Sequence, residues 1–168
     1  MSYLTKLKGS PAPIPPRPPL KEISFITFGA FLAACVIGFL AYSTSYPIIM
    51  GSFGASIFVL FVLPESPFAQ PRNVVLGHFL TTLVGLIFFQ LVSSDWWSMA
   101  IALAIAIALM QILRISHPPA GSNPFIVFLL GANWDYLWMP TLIGSVLIVL
   151  VALFYNNISE ARSYPKYW

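Results

Sequence analysis

The chain has 168 residues, 58% of them hydrophobic and only 8% charged, with a mean hydropathy of +0.85. Soluble domains carry roughly 25% charged residues, so this composition cannot clothe a water-facing surface and points to an integral membrane protein. Eight lysines and arginines face five acids, a net charge of +3; the bases gather in the flanks, which is the positive-inside signature and not a nucleic-acid surface.

Residues 1–22 hold Lys6, Lys8, Arg17 and Lys21 and a dense run of prolines, Pro11, Pro13, Pro15, Pro16, Pro18 and Pro19. Such a run lacks the amide hydrogens a helix needs, so an extended, polyproline-like cytoplasmic tail is expected. It reads as a semi-rigid spacer or, on a sharper reading, as a ligand for a proline-recognition partner. It is too long and proline-rich for the charged start of a cleavable signal.

Residues 23–41 carry no charge and predict a first spanning helix. Cys35 lies within it and reads as a small core residue; a single cysteine excludes an internal disulfide and argues against a cysteine metal site. A polar break over 42–47 leads to 48–63, which is apolar but marginal for a span and is loosened by Gly51, Ser52, Gly54 and Ser56. A proline-bounded loop follows over 64–73. Residues 74–92 predict a full helix with His78, Thr81 and Thr82 on one face, and Gly77, Thr81 and Gly85 as a small-residue stripe. Ser93, Ser94, Asp95, Trp96 and Trp97 suit an interfacial turn.

Residues 98–115 predict the next span, with Ala100, Ala104 and Ala108 as its packing stripe, extended by Gln111. Then the chain breaks at Ser116-His117-Pro118-Pro119-Ala120-Gly121-Ser122-Asn123-Pro124, where consecutive prolines interrupt helical hydrogen bonding beside a histidine and Arg114. A short apolar run (125–130), an aromatic turn (131–136), a last full helix (137–155) with Pro140 near its start, and a polar tail (156–168) complete the chain.

The chain resembles itself at a shift of 67 residues. Gly54, Phe58, Phe61, Leu63 and Gly77 fall on Gly121, Phe125, Phe128, Leu130 and Gly144, and Leu80, Leu83, Val84 and Leu86 on Leu147, Leu150, Val151 and Leu153. The expected fold is therefore all-α: a polytopic transmembrane bundle of four full-length helices plus two short, re-entrant or discontinuous segments. A first repeat spans 23–93 and a second 94–155, between tails at 1–22 and 156–168. If the short segments cross, there are six passes; if they return, four. Six passes leave Arg72, Arg114 and the basic tails on one side and Asp95 and Asp135 on the other, which the positive-inside rule prefers.

Interrupted segments at matching positions of two halves are the best sequence pointer to a transporter's site. Here they are 51–56 and 117–124, and each opens a short helix whose first turn suits an anion. The candidate binding residues are Gly54 and Ser56 from the first segment and His117, Pro118, Pro119, Gly121, Ser122 and Asn123 from the second, with His78 and Arg114. Each has a plainer reading. His117 reads equally as a cap on the C-terminal carbonyls of the preceding helix, Arg114 as snorkelling to headgroups, and His78 as satisfied across a helix contact. Ser56, Ser122 and Asn123 read equally as N-caps of their own short helices. No catalytic set, metal site or cofactor motif stands at informative spacing, and no buried acid suits a cation path.

The run Ser116–Gly121 followed by a short apolar helix resembles the hallmark of the HPP family of small membrane proteins. Residues 51–56, the loop at 63–73 and Gly77-His78 resemble its first-half pattern, so the likeness covers about residues 23–155. The family is described as four-helix membrane proteins, some implicated in nitrite transport. The resemblance therefore implies a transporter or channel for a small inorganic anion such as nitrite; the expected setting is a bacterial plasma (inner) membrane, with both termini cytoplasmic from the charge placement. In that reading His117 alone makes the site respond to pH. The alternative is a non-transporting scaffold that uses the proline-rich tail; a homo-oligomer fits either.

Overall fold

The structure, a computed structural model, describes residues 3–7, 12–44 and 48–168, and the expected break at 42–47 lies partly outside them. The described residues are helical or irregular throughout, with no strand among them. A short helix, α1 (Tyr3–Leu7), stands in the tail expected to be extended. The reason is local: residues 3–7 contain no proline, and the amide-poor stretch begins only at Pro11. Residues 12–19 carry no regular structure and are exposed.

α2 (Leu20–Thr44) starts before the apolar run because the Pro19 carbonyl accepts from both Glu22 and Ile23 amides at 3.0 Å. It is peripheral and buries only the stripe Gly29, Ala33 and Ile37. Cys35, expected in the core, is exposed, because it falls off this i, i+4 stripe.

α3 (Gly51–Val62) is followed by a 3₁₀ turn (Pro67–Ala69) and α4 (Pro71–Leu91). α4 begins earlier than its apolar run because Pro71 occupies the first turn, where a missing N–H costs nothing. α5 (Trp96–Ile112) buries Ser98, Ala102, Ala106 and Met110, and leaves Ala100, Ala104 and Ala108 exposed. Two alanine stripes lie in this helix, and the packed one is the stripe that Ser98 and Met110 extend. A second 3₁₀ turn (Pro118–Ser122) runs into α6 (Asn123–Leu130), which stops at Gly131 with φ 58°. The last span opens with a π-helical turn (Leu137–Leu142), bent at Met139 (φ −135°, ψ 116°) before Pro140, and continues as α7 (Ile143–Asn156).

By length and apolarity α2, α4 and the span Leu137–Asn156 suffice to cross a bilayer; α3 and α5 are shorter. The expected fourth full-length span is thus the 17-residue α5, roughly 25 Å long.

The helix ends gather at two poles. At one, the α2 start, the α3 end and the C-terminal tail meet: Arg162 reaches Glu22 (3.6 Å) and the Phe61 carbonyl (2.8 Å), and Asn156 donates to the Leu60 carbonyl (3.1 Å). The α4 start and α5 end join them, since Asn73 donates to the Ser116 carbonyl. At the other pole Gln90 donates to the Ala132 carbonyl (2.7 Å) and Phe89 packs edge-on against Phe128. Between the poles, α4 packs on α5 and α6, as α7 packs on α2 and α3.

Candidate functional site

The middle of the bundle is polar. Ser56, His78, Thr81, Thr82, His117, Asn123 and Thr141 are all fully buried there, among helices whose outer faces are apolar. Each arrives by a separate route. Ser56 sits in the first half of α3 and faces inward because Ser52, Ser56 and Leu60 share its buried stripe. His78, Thr81 and Thr82 lie on the inner face of α4. His117 precedes the Pro118–Ser122 turn, and Asn123 is the first residue of α6.

Close backbone approach makes the assembly possible. A Cβ at Gly77 would fall 3.0 Å from the His117 Cβ and 3.2 Å from the Ile115 carbonyl. At Gly85 it would fall 3.0 Å from the Pro124 Cα. The small-residue stripe of α4 is therefore the surface on which the interrupted segment lies, as the packing reading expects.

The two histidines converge on one hydroxyl. Ser56 Oγ is 2.8 Å from His78 Nε2 and 2.7 Å from His117 Nε2, and the imidazole centroids are 5.1 Å apart. His117 Nδ1 donates to the Phe68 carbonyl at 2.7 Å. Asn123 Nδ2 lies within 3.0–3.2 Å of His78 Nδ1, the His78 carbonyl and the Thr81 and Thr82 hydroxyls. Thr141 donates to Thr82 at 3.3 Å, and Phe53 presents its ring edge to His78. Among the described residues no lysine, arginine, aspartate or glutamate is buried.

The expected site residues divide accordingly. Ser56, His78, His117 and Asn123 come together. His117 does not cap the preceding helix; its ring bonds Phe68 and Ser56 instead. Ser56 and Asn123 do not cap their own helices either, and Ser122 bonds back to the Pro119 carbonyl at 2.9 Å. Pro119 is buried in the turn, Gly121 half-buried, while Pro118 and Gly54 are exposed. Arg114 is exposed on a cleft of about 260 Å³ that Asn73, Gln111, Ser116 and Tyr167 also line, one residue layer from His117.

Sequence reasoning missed two parts. The first is the 64–70 loop, whose Phe68 backbone holds His117; a carbonyl leaves no trace in side-chain identity. The second is the C-terminal tail, which latches that loop. Tyr164 donates to the Ala69 carbonyl (2.7 Å), Gln70 Oε1 accepts from the Lys166 amide (2.7 Å), and Lys166 pairs with Glu65 (2.8 Å). Nor does His117 stand alone as the titratable group, since His78 shares its hydroxyl.

An apolar exterior, a buried polar centre and charges confined to the helix ends define a polytopic helical membrane protein. The sequence matches the family described as HPP, transmembrane region, over residues 15–165, and the chain belongs to that family. It is similar to two transmembrane proteins of Dictyostelium discoideum. One is 35% identical over 92% of this chain and 58% of the relative. The other is 34% identical over the whole chain, again 58% of the relative. The chain thus spans a little over half the length of these relatives. No solved structure matches it.

Proposed function

We propose that the protein carries a small inorganic anion across the membrane, as a transporter or channel, with nitrite the first candidate from the family resemblance. One observation carries the reading. Ser52 Oγ in the first turn of α3 and Asn123 Oδ1 in the first residue of α6 are buried without any hydrogen-bond partner. Buried polar atoms are ordinarily paired, so orphans at the starts of both short helices mark where a further polar group belongs. Helix N-termini add amide donors and a positive dipole end suited to an anion.

In this reading all of α2 to α7 cross, with the short pair α3 and α6 completed by neighbouring backbone. The pole bearing Lys21, Arg72, Arg114, Arg162 and Lys166 faces the cytoplasm, and Asp95 and Asp135 face away. The 67-residue repeat supports it. Gly77 of α4 lies against Ala120, Gly144 of α7 lies against Phe53, and both pairs are related by that shift. The buried cluster is then the closed centre of the path.

The test is uptake into proteoliposomes of nitrite, nitrate, formate, chloride and a neutral solute. Saturable nitrite flux that collapses in the His117→Ala/Asn123→Ala double variant supports the reading. Absence of anion flux, or flux unchanged in a folded double variant, overturns it. The scaffold alternative draws on the exposed, irregular 12–19 segment, and predicts that a peptide of that segment binds a proline-recognition domain.

A further inference from the structure

Directions through the central cluster follow from groups that act only one way. The Phe68 carbonyl only accepts, so His117 carries its proton on Nδ1 and turns a bare Nε2 to Ser56. The His78 carbonyl likewise only accepts, so Asn123 presents its amide Nδ2, and His78 Nδ1, 3.0 Å away, is bare. The His78 proton is therefore on Nε2, 2.8 Å from Ser56. Ser56 accepts from His78 and donates to His117, with the Ser52 carbonyl at 3.0 Å as a longer resting place for its proton. The string runs in one sense, from Asn123 through His78, Ser56 and His117 to Phe68, with both rings neutral.

We propose that this string is a proton relay and that the protein moves its anion together with a proton, the Asn123 amide being the coupling element. The anion half rests on the transport reading above; the relay does not. A proton arriving at His78 Nδ1 makes that ring doubly protonated. Its Nε2 proton passes to Ser56 Oγ as the hydroxyl proton passes to His117 Nε2. The balance is one proton gained: only N–H and O–H bonds form and break, and the positive charge comes to rest on His117.

His78 now holds its proton on Nδ1 and can no longer accept from Asn123. The amide turns over, so that Oδ1 accepts from His78 and from the Thr82 hydroxyl. The His78 carbonyl, 3.2 Å from the amide, opposes this turn until the proton arrives. Turning puts Nδ2 where the unpartnered Oδ1 was. A buried acceptor, which repels an anion, becomes a donor, which holds one, in the step that places a cation nearby. Loss of the His117 Nδ1 proton past Phe68, toward the cleft at Asn73, Arg114 and Ser116, discharges the string. A bare Nδ1 facing the Phe68 carbonyl at 2.7 Å disfavours that state; the start is regained when water takes one proton from each imidazole and returns one to its other nitrogen, while the Ser56 hydroxyl turns back toward His117.

The groups facing the relay are few. α3 contributes Ser52 and Ser56, α4 contributes His78, Thr81 and Thr82, α6 contributes Asn123, the π-turn contributes Thr141 and the loop contributes the Phe68 carbonyl. The two imidazoles are the titratable ones, and Arg114 is the charge at the adjoining cleft.

Two measurements test it. In protein labelled with ¹⁵N-histidine, the imidazole shifts at neutral pH show one Nδ1–H ring and one Nε2–H ring, and Ser56→Ala keeps these tautomers while shifting both Nε2 resonances, which lose their hydrogen bonds. In vesicles carrying a pH dye, a nitrite gradient moves protons with the anion, after subtraction of protein-free vesicles; Ser56→Ala lowers proton movement per anion about a hundredfold. Two rings with the same tautomer, anion flux without protons, or an unchanged ratio in Ser56→Ala overturns the relay. If no anion moves at all, the transport reading fails by itself. The relay is then decided by proton conduction under a potassium diffusion potential, present in the unaltered protein and lost in Ser56→Ala, or else overturned.

Discussion

The Ser56 hydroxyl lies 2.7 Å from the Nε2 of His117, a residue 61 positions further along the chain and on another element. The same oxygen reaches His78 at 2.8 Å, so one small side chain joins three segments of the bundle. Ser56→Ala leaves a donor on His78 and an acceptor on His117 buried and unpaired, at a cost of about 1–3 kcal/mol. Thermal unfolding in detergent reads this as a lowered midpoint. Ser52→Ala, which removes an atom without a partner, leaves the midpoint unchanged or raises it.

Gly144 and Phe53 make a second test of how the short helices are seated. A Cβ at Gly144 would collide with the Phe53 ring, which also packs edge-on against His78 at 5.2 Å. Gly144→Ala therefore overpacks the α3–α7 contact and destabilises by about 1–3 kcal/mol. Phe53→Ala added to it recovers part of the loss, because the colliding atoms are gone. A midpoint for the double variant equal to the sum of the single losses would count against this contact.

Arg114 closes α5 in the left-handed conformation, φ 56°, with the Ile115 amide donating to the Met110 carbonyl at 3.0 Å. This is the helix ending that glycine or asparagine usually provides, and Gly131 provides it at the end of α6. An L-residue there carries a strain of roughly 1–2 kcal/mol. Arg114→Gly thus raises the unfolding midpoint. If the guanidinium serves the cleft, the same variant weakens anion flux, and a more stable but slower protein is the expected result. Reconstituted flux beside thermal unfolding separates the two effects.

Composition alone made the membrane class legible, because charge is too scarce for any other surface. Proline and glycine placement revealed the interrupted segments, and the histidine–proline–proline run gave the family. Phase was less legible: Ala100 and Ala102 begin equally good stripes, and only the neighbours Ser98 and Met110 show which one packs. Cys35 failed for a related reason, since a peripheral helix buries one narrow stripe and apolar identity does not say which face that is. His78 and His117 could be nominated singly, but their union through Ser56 depends on three separate segments meeting, two helices and the lead-in to the Pro118–Ser122 turn. The Phe68 carbonyl and the tail latch depend on backbone atoms that any residue supplies.

The tail gives the last prediction. Tyr164 is buried, and burial pushes its hydroxyl above the ordinary phenol range while it donates to the Ala69 carbonyl at 2.7 Å. A folded value raised above the unfolded one means that the latch is fully present below the ordinary phenol range and is lost as pH rises through the raised value. The exposed Glu65 behaves oppositely: its bond and charge contact with Lys166 lower its carboxyl, so that pair holds above the ordinary carboxylate range and is lost as pH falls through the lowered value. Between these limits the tail stays on the loop that holds His117. Tyrosinate absorbance during an alkaline titration should lose its latest-ionising phenol in Tyr164→Phe, and that variant should lose about 1 kcal/mol with the hydrogen bond. Limited proteolysis gives a second readout: cleavage after Arg162 or Lys166 at neutral pH is slow in the unaltered protein and faster in Tyr164→Phe. Equal cleavage of the two would show that the phenol does not hold the latch.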